Sequence, residues 1–285
     1  MSEQQGNPIT RNAFEETVRD LYHTKQNDPL NLDLGHLDGY YHHHYSVDDF
    51  DRSVLNLSGE SRERVIRYEL HHMETRQVRI VIDALQGLPS QARVLDAGSG
   101  RGGTAFLVNR AFGCRIDGVN LATYQNEFAR AEAERHGCAD KVRFHERNMN
   151  ETGFPDASFD ATYSNETTMY VDPRETFAEF ARILKPGGIY VLISWCANDG
   201  VDPEPPEAKA IDEHYKCWTH SRTEYLQALT DAGFFPYQVD DLTKRATPYW
   251  ELRIESDLAT GVEQPFLDGY RRNSLNYLRV ISRRR

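Results

Sequence analysis

The chain has 285 residues and a formal charge of −11, from 44 acidic and 33 basic side chains. This balance argues against a nucleic-acid partner, which needs a basic face, and the length suits one α/β core with additions. The four cysteines (Cys114, Cys138, Cys196, Cys217) are scattered with no CxxC pair, so free thiols in a reducing compartment are expected rather than disulfides or zinc ligands.

No apolar run nears the roughly 18–20 residues of a membrane span. The polar start MSEQQGNPITRN lacks the apolar stretch of a signal peptide. A soluble, cytoplasmic protein with no membrane partner is expected.

The first predicted element is a polar helix, NAFEETVRDLYHTK. The segment Tyr40-Tyr41-His42-His43-His44-Tyr45 follows. Its position inside the chain argues against a tag. A zinc site is also disfavoured, because adjacent side chains of an extended segment alternate in direction and cannot all meet one ion. Alternation puts Tyr41, His43 and Tyr45 on one face and His42 and His44 on the other. Next, ERVIRYELHHMETRQVRIVIDALQGL predicts a long helix with Val65, Tyr68, Leu70, Met73, Val78 and Ile80 on one broad face.

From Arg93 strands and helices alternate. RVLDAGSG, CRIDGVNL, KVRFHERN, SFDATYSNE and IYVLISWC read as buried strands. GTAFLVNRAF, ATYQNEFARAEAERHG and PRETFAEFARILKPGG read as the helices between them, the second stopped by Gly137 and the third opened by Pro173. ANDGVDPEPPEAKAIDEHYKCWTH starts as a linker and becomes helical near Ala208. PYQVDDL predicts strand six, TPYWELRIESDL a helix with Pro248 in its first turn, and SLNYLRVISR the last strand. The expected fold is α/β and Rossmann-like: a seven-stranded, mostly parallel sheet with helices on both faces. Residues 1–88 form an N-terminal helical cap that contributes to the pocket. Residues 89–285 form the cofactor-binding domain, with a lid insertion near 197–220.

Gly98-Ser99-Gly100-Arg101-Gly102-Gly103 fits GxGxxG between a strand and a helix. The turn alone serves several nucleotide ligands. Asp96 decides among them, because a carboxylate at the strand end opposes a pyrophosphate and suits a cationic ligand such as S-adenosylmethionine (SAM). Asn120 and Leu121 end the next strand, where a polar side chain meets ribose hydroxyls. Asn148 and Met149 end the third strand and suit the adenine. Leu184-Lys185-Pro186-Gly187-Gly188 is similar to the turn before strand five of class I SAM-dependent methyltransferases, and residues 90–195 resemble that class as a whole.

At the end of strand four, Tyr163-Ser164-Asn165-Glu166-Thr167-Thr168-Met169-Tyr170 points toward the cofactor turn. Glu166 there is a candidate general base. Tyr40, Tyr41, Tyr45, Tyr170, Tyr215, Trp218, Tyr249 and Trp250 are aromatic faces able to hold a cation.

In chain order, GYYHHHYS, ELHHMET, GSGRGG, GVNLATYQ, SNETTMYVD, LKPGGIYV, HYKCWTHSRTEYL, DLTKRATPYWELR and ATGVEQPFLDGYR resemble the prenyl diphosphate C-methyltransferases, from about Leu34 to the last residue. The resemblance implies methyl transfer from SAM to an alkene carbon of a prenyl diphosphate, most simply geranyl diphosphate, with the diphosphate retained. It implies Glu166 as the base, with Tyr45 and Tyr215 flanking the cation. Tyr215 departs from the phenylalanine of the geranyl enzymes, which leaves chain length and methylated carbon open. Gln125 joins the expected cofactor residues. Tyr41, His43, His44, Asn165, Tyr170, Trp218, Tyr249 and Trp250 are the expected substrate residues. Mg²⁺ is expected through diphosphate oxygens and water, with no direct protein ligand. Asp48-Asp49-Phe50-Asp51 reads as a solvated loop, and Arg253 or Lys244 could meet phosphate. Farnesyl or isopentenyl diphosphate, or a distal alkene, fits the same chemistry. A small-molecule O- or N-methyltransferase, a cyclopropane-synthase-like enzyme and a non-catalytic SAM binder are the other readings. A homo-oligomer is compatible with all of them.

Overall fold

A computed structural model describes residues 9–25, 29–200 and 205–285. Seven strands form one sheet: β1 (Arg93–Ala97), β2 (Arg115–Asn120), β3 (Val142–Glu146), β4 (Phe159–Asn165), β5 (Leu184–Ala197), β6 (Phe234–Asp241) and β7 (Leu275–Arg284). Their order is β3-β2-β1-β4-β5-β7-β6. β7 is antiparallel to both neighbours, and the other pairings are parallel. The expected mostly parallel sheet is therefore present. The chain leaves β1 toward β2 and β3, then returns to β4 on the other side. That reversal opens a crevice at the carboxyl ends of β1 and β4, where open α/β sheets bind ligands.

Helices α1 (Ala13–Thr24), α2 (Pro29–Gly35) and α3 (Gly59–Ala84) precede the sheet. Asn12 caps α1, its side chain accepting from the Glu15 N–H at 2.9 Å. α4 (Gly103–Phe112), α5 (Thr123–Arg135) and α6 (Pro173–Ile183) are the crossovers. Pro173 opens α6 behind the Asp172 cap, and Gly137 takes a positive φ of 64° beyond α5. α7 (Pro206–Tyr215), α8 (Arg222–Asp231), α9 (Thr243–Arg253) and α10 (Glu263–Arg272) complete the described helices.

Two apolar layers hold the sheet. On one face, α3, α4, α5, α7, α9 and α10 pack over Val94, Ile116, Ala161 and Val191. On the other, Phe177 and Phe180 of α6 and Tyr225 and Leu229 of α8 cover Leu95, Tyr190 and Leu192. Because α3 shares the first layer, the segment before the sheet is tied to the sheet's own core.

Several local expectations need correction. Tyr68 is 50 % exposed, off the buried face of α3. That face instead includes His71, Glu74 and Gln77, spaced three apart and buried beside Leu70, Met73 and Val78. Pro248 lies inside α9, because the helix starts at Thr243 and not just before the proline. β3 stops at Glu146, so Asn148 and Met149 follow it in a turn where Asn148 bridges to Glu151. The Lys185–Gly188 stretch is an irregularity within β5: Leu184 pairs with Phe159, and regular pairing resumes at Ile189 opposite Ala161.

Phe177 is fully buried between Phe180, Tyr190 and Tyr225, on the sheet face away from the α3 layer. Phe177→Ala should cost about 3–5 kcal/mol of stability. Urea unfolding followed by circular dichroism measures this, and an unshifted midpoint would contradict the packing described.

Candidate active site

The crevice holds a first cavity built on the glycine turn. Gly98 (φ 83°) and Gly100 (φ 52°) take left-handed conformations. A Cβ on Gly98 would stand 2.3 Å from Thr167 Cγ2, so only glycine lets the turn lie this close to the end of β4. All eight expected cofactor residues line this cavity: Asp96, Gly98, Gly100, Asn120, Leu121, Gln125, Asn148 and Met149. Asn120 donates to Gln125 Oε1 at 2.6 Å, and Asn148 donates to Glu15 Oε2 of α1 at 2.8 Å. Glu15, Val18, Arg19 and Tyr22 make α1 one wall of the cavity.

The polar atoms here fit a cationic ligand. Asp96 Oδ2 and Ser99 Oγ are buried with no hydrogen-bond partner among the described residues. Burial raises the Asp96 carboxyl to about 7, partly offset by the neighbouring Tyr163 hydroxyl. A ligand ammonium would satisfy the orphaned oxygen and return the carboxyl toward its ionised form.

A second cavity of about 580 Å³ adjoins the first, within the usual size range of small-molecule sites. The two share Tyr22, His43, His44, Glu166 and Tyr170 in their walls. Glu166 is therefore a partition between them. It follows β4 directly at a φ of 56°, a left-handed conformation that costs an L-residue on the order of 1–2 kcal/mol. Its own N–H donates to Ile193 O at 2.9 Å, fixing the corner to β5.

Two donors converge on the Glu166 carboxylate, and a third residue orients one of them. The Tyr45 N–H donates to Oε1 and Oε2 at 3.0 and 3.1 Å. The Tyr277 hydroxyl of β7 donates to Oε1. Gln77 of α3 donates to Tyr277 Oη at 3.1 Å, which leaves the phenol hydrogen for Glu166. Gln77 and Asn165 exchange amide hydrogen bonds of 2.8 and 3.0 Å. Burial nonetheless dominates and raises Glu166 to about 8, with Tyr277 and the Tyr45 N–H opposing and the nearby Glu74 carboxylate adding.

Tyr45 enters an aromatic cluster. Its ring lies 4.3 Å from Trp250, 5.4 Å from Phe266, 5.8 Å from Trp195 and 6.3 Å from Tyr215. Trp250 stacks on Phe266 at 4.1 Å. Beside this cluster Lys25 and Arg253 line the second cavity. Arg253 is 3 % exposed and donates to Tyr249 Oη at 3.0 Å, and Tyr249 donates to Glu74 Oε1 at 2.8 Å. Burial raises Glu74 to about 7.

The other expected residues divide. Tyr215 and Tyr249 line the second cavity with Tyr45, and His43, His44 and Tyr170 line both. Tyr41 and Asn165 face the first cavity rather than the second. Trp250 is fully buried behind Tyr45 and lines neither. Trp218 is 50 % exposed, lines neither cavity, and stacks on Phe14 of α1 at 4.0 Å, because α1 reaches over and covers one side of its ring. Lys244 is exposed and lines neither cavity. Asp48 pairs with Arg76 and Arg245, and Asp51 caps the 3₁₀ turn Arg52–Asn56, so these acids serve local structure.

The triple-histidine segment belongs to no helix or strand and bends at His44. His42 and His44 do face one another, with ring centroids 4.8 Å apart. Tyr41 and Tyr45 part company, Tyr41 lying edge-on to Phe128 at 4.7 Å while Tyr45 joins the cluster. His43 Nε2 accepts from the buried Arg101 Nη1 at 2.9 Å, beside Gly100.

Gln77, Glu74, Tyr277 and Arg101 escaped the sequence reading as site residues. Period-three spacing in ELHHMETRQ carried a signal for the first two, since polar residues on a long helix's apolar face require partners.

This geometry, a glycine turn with an orphaned acid beside a second cavity and a carboxylate between them, defines a class I SAM-dependent methyltransferase. A family model described as a methyltransferase domain matches residues 95–192. Geranyl diphosphate 2-C-methyltransferase of Saccharopolyspora erythraea is 43 % identical over 264 residues, covering 92 % of each chain. That of Streptomyces coelicolor is 38 % identical over 278 residues, covering 97 % of this chain and 95 % of the relative. The crystal structure of geranyl diphosphate C-methyltransferase from Streptomyces coelicolor, in complex with Mg²⁺, geranyl-S-thiolodiphosphate and S-adenosyl-L-homocysteine, superposes with a TM-score of 0.92 at 36 % identity, covering 98 % of this chain and all of that one. The chain belongs to the geranyl diphosphate 2-C-methyltransferase family.

Asp96→Asn should weaken S-adenosylhomocysteine binding at least about tenfold, the value of one charged hydrogen bond. Isothermal titration calorimetry reads this directly; unchanged affinity would remove Asp96 from the ligand's contacts.

Proposed function

We propose that this protein uses SAM to methylate C2 of geranyl diphosphate, with Glu166 as the base and the diphosphate retained. The observation that carries the reading is Glu166 standing between the two cavities, hydrogen-bonded from Tyr45 and Tyr277. Asp96, the Gly98–Gly103 turn, Asn120, Leu121, Gln125, Asn148 and Met149 hold the cofactor, and the described residues of the 1–88 segment, α1 included, cap the acceptor cavity. When bound, SAM supplies an electrophilic methyl group; its addition to C2 of the C2–C3 alkene leaves a tertiary cation at C3.

The residues then have separate tasks. Tyr45 and Tyr215 present ring electrons to the cation, with Trp195 and Tyr249 in the same wall. Glu166 takes the proton from C2, and the C–H electron pair restores the C2–C3 double bond. The Tyr45 contact comes from its backbone, so the ring stays available to the cation while its N–H orients the base. Lys25 and Arg253 face the diphosphate. A diphosphate carries more negative charge than these two side chains neutralise, and Mg²⁺ bound through its oxygens and water supplies the remainder. His43, His44 and Tyr170 border both ligands. Tyr41 and Asn165 lie on the cofactor side, and Trp250 supports Tyr45 from behind.

The test is incubation with SAM, Mg²⁺ and a panel of geranyl, farnesyl and isopentenyl diphosphates, with products identified by mass spectrometry and NMR. A 2-methylated geranyl diphosphate is expected, and loss of turnover on chelation of Mg²⁺. No methylated diphosphate from any acceptor would refute the assignment.

Glu166 works only when ionised, and its carboxyl is raised to about 8. The rate should therefore climb as pH rises toward 8 and level off above it, the acid limb tracking one ionisation. Glu166→Gln should lower kcat by about 10²-fold or more and abolish that limb, with cofactor affinity retained. A variant keeping full turnover would exclude Glu166 as the base.

A further inference from the structure

The tertiary cation left by methyl addition has protons to lose from three neighbouring carbons: C2, C4 and the methyl on C3. Only loss from C2 restores the C2–C3 alkene. The reaction therefore needs a base that reaches one of these protons and not the others, and the way Glu166 is held bears on that choice.

An ionised carboxylate offers about four acceptor sites, two on each oxygen. Oε1 of Glu166 fills both of its sites, accepting from the Tyr45 N–H and the Tyr277 hydroxyl. Oε2 accepts only from the Tyr45 N–H at 3.1 Å, so among the described residues the open site is on Oε2. Tyr277 is fully buried and lines neither cavity, so it acts on the reaction only through Glu166. Its backbone is anchored on both sides: the N–H donates to Thr243 Oγ1 at 3.0 Å, and the carbonyl accepts from the Leu242 N–H at 2.7 Å. A carboxylate can only accept, so Tyr277 must give its hydrogen to Glu166, and Gln77 must then donate to Tyr277. That fixes the two buried amides of Gln77 and Asn165 in one mutual orientation.

We propose that Tyr277, oriented by Gln77 and Asn165, occupies Glu166 Oε1 and so commits Oε2 to the C2 proton, which makes Tyr277 the positioning residue for the site of deprotonation. The proposal rests on Glu166 acting as the base in the reaction above. In the normal step the C2–H electron pair closes the C2–C3 alkene and the proton goes to Oε2. Without the Tyr277 hydroxyl a site opens on Oε1, and the carboxylate keeps only the Tyr45 N–H and can turn. Proton loss from C4 then places the double bond between C3 and C4, and loss from the C3 methyl places it outside the chain. Each product is an isomer of 2-methylgeranyl diphosphate with the same mass, told apart by NMR.

The experiment compares the isomers formed from SAM, Mg²⁺ and geranyl diphosphate. Wild-type enzyme should give 2-methylgeranyl diphosphate. In Tyr277→Phe the share of misplaced double bonds should rise at least about tenfold, the weight of one hydrogen bond to a charged group. The Tyr277 hydroxyl also opposes the burial that raises Glu166 to about 8, so its loss should move the acid limb of the rate up by about one pH unit. Glu74 of α3, His43 and His44 of the shared wall, and the Tyr22, Tyr215 and Tyr270 phenols of α1, α7 and α10 also stand around this carboxyl and are kept in every variant. Gln77→Met, which keeps the phenol, should give the same isomers at a smaller share, and no further change when added to Tyr277→Phe. It decides the matter where Tyr277→Phe forms too little product. A single isomer from both variants would overturn the proposal. So would a limb moved to lower pH in Tyr277→Phe, which marks a wetter pocket, or a Gln77→Met effect of full size in the Tyr277→Phe background, which marks packing. Wild-type enzyme that forms no methylated diphosphate would instead refute the reaction itself, and that is read before any variant is compared.

Discussion

A carboxylate held out of water at a left-handed corner is the constraint on which the site depends. Glu166 follows β4 at φ 56°, and its ionised form is disfavoured by burial. Neither cost is sustainable in isolation. The corner is pinned to β5 by the Glu166 N–H, and the carboxylate receives donors from the histidine segment and from β7. α3 supplies Gln77, which sets the direction of the Tyr277 hydroxyl. Three chain regions far apart in sequence thus secure one side chain, and that convergence ties the N-terminal segment to the sheet.

The same burial gives the carboxylate its chemistry. A base raised to about 8 binds a proton far more firmly than a solvated glutamate does. A carbon-bound proton next to a tertiary cation is strongly acidic, so such a base removes it with a large driving force. The aromatic cluster around Tyr45 supplies the complementary condition, since ring faces attract a cation without offering it a nucleophile or water. Lys25 and Arg253 sit in the wall of the same cavity, which places positive charge beside aromatic rings.

Much of the fold was legible because it rests on local rules. The alternation of strand and helix from Arg93, the glycine turn and the Asp96 strand end follow from spacing and backbone freedom. The eight expected cofactor residues gathered in one cavity for the same reason: they lie at or just beyond the ends of adjacent parallel strands, whose order the alternation implies. Trp218 misled because an aromatic near a predicted lid has no sequence signal for direction, and α1 covers it from outside. Gln77 and Glu74 were hidden in a helix whose apolar residues dominate its pattern. Tyr277 read as a strand residue whose hydroxyl had no visible task.

By itself the sequence determined a class I methyltransferase sheet, an acid, Asp96, at the end of β1 beside the glycine turn, and Glu166 at the mouth of β4, since each depends on residues close along the chain. Only the tertiary structure decided what surrounds Glu166. It joined Tyr45 to Glu166, Tyr277 to Glu166 and Gln77 to Tyr277, each across more than a hundred residues, and it gave the residues of the YYHHHY segment different surroundings. The reason is that the bend at His44 and the packing of α3 against the sheet set side-chain direction, and neither is encoded in the spacing of neighbours.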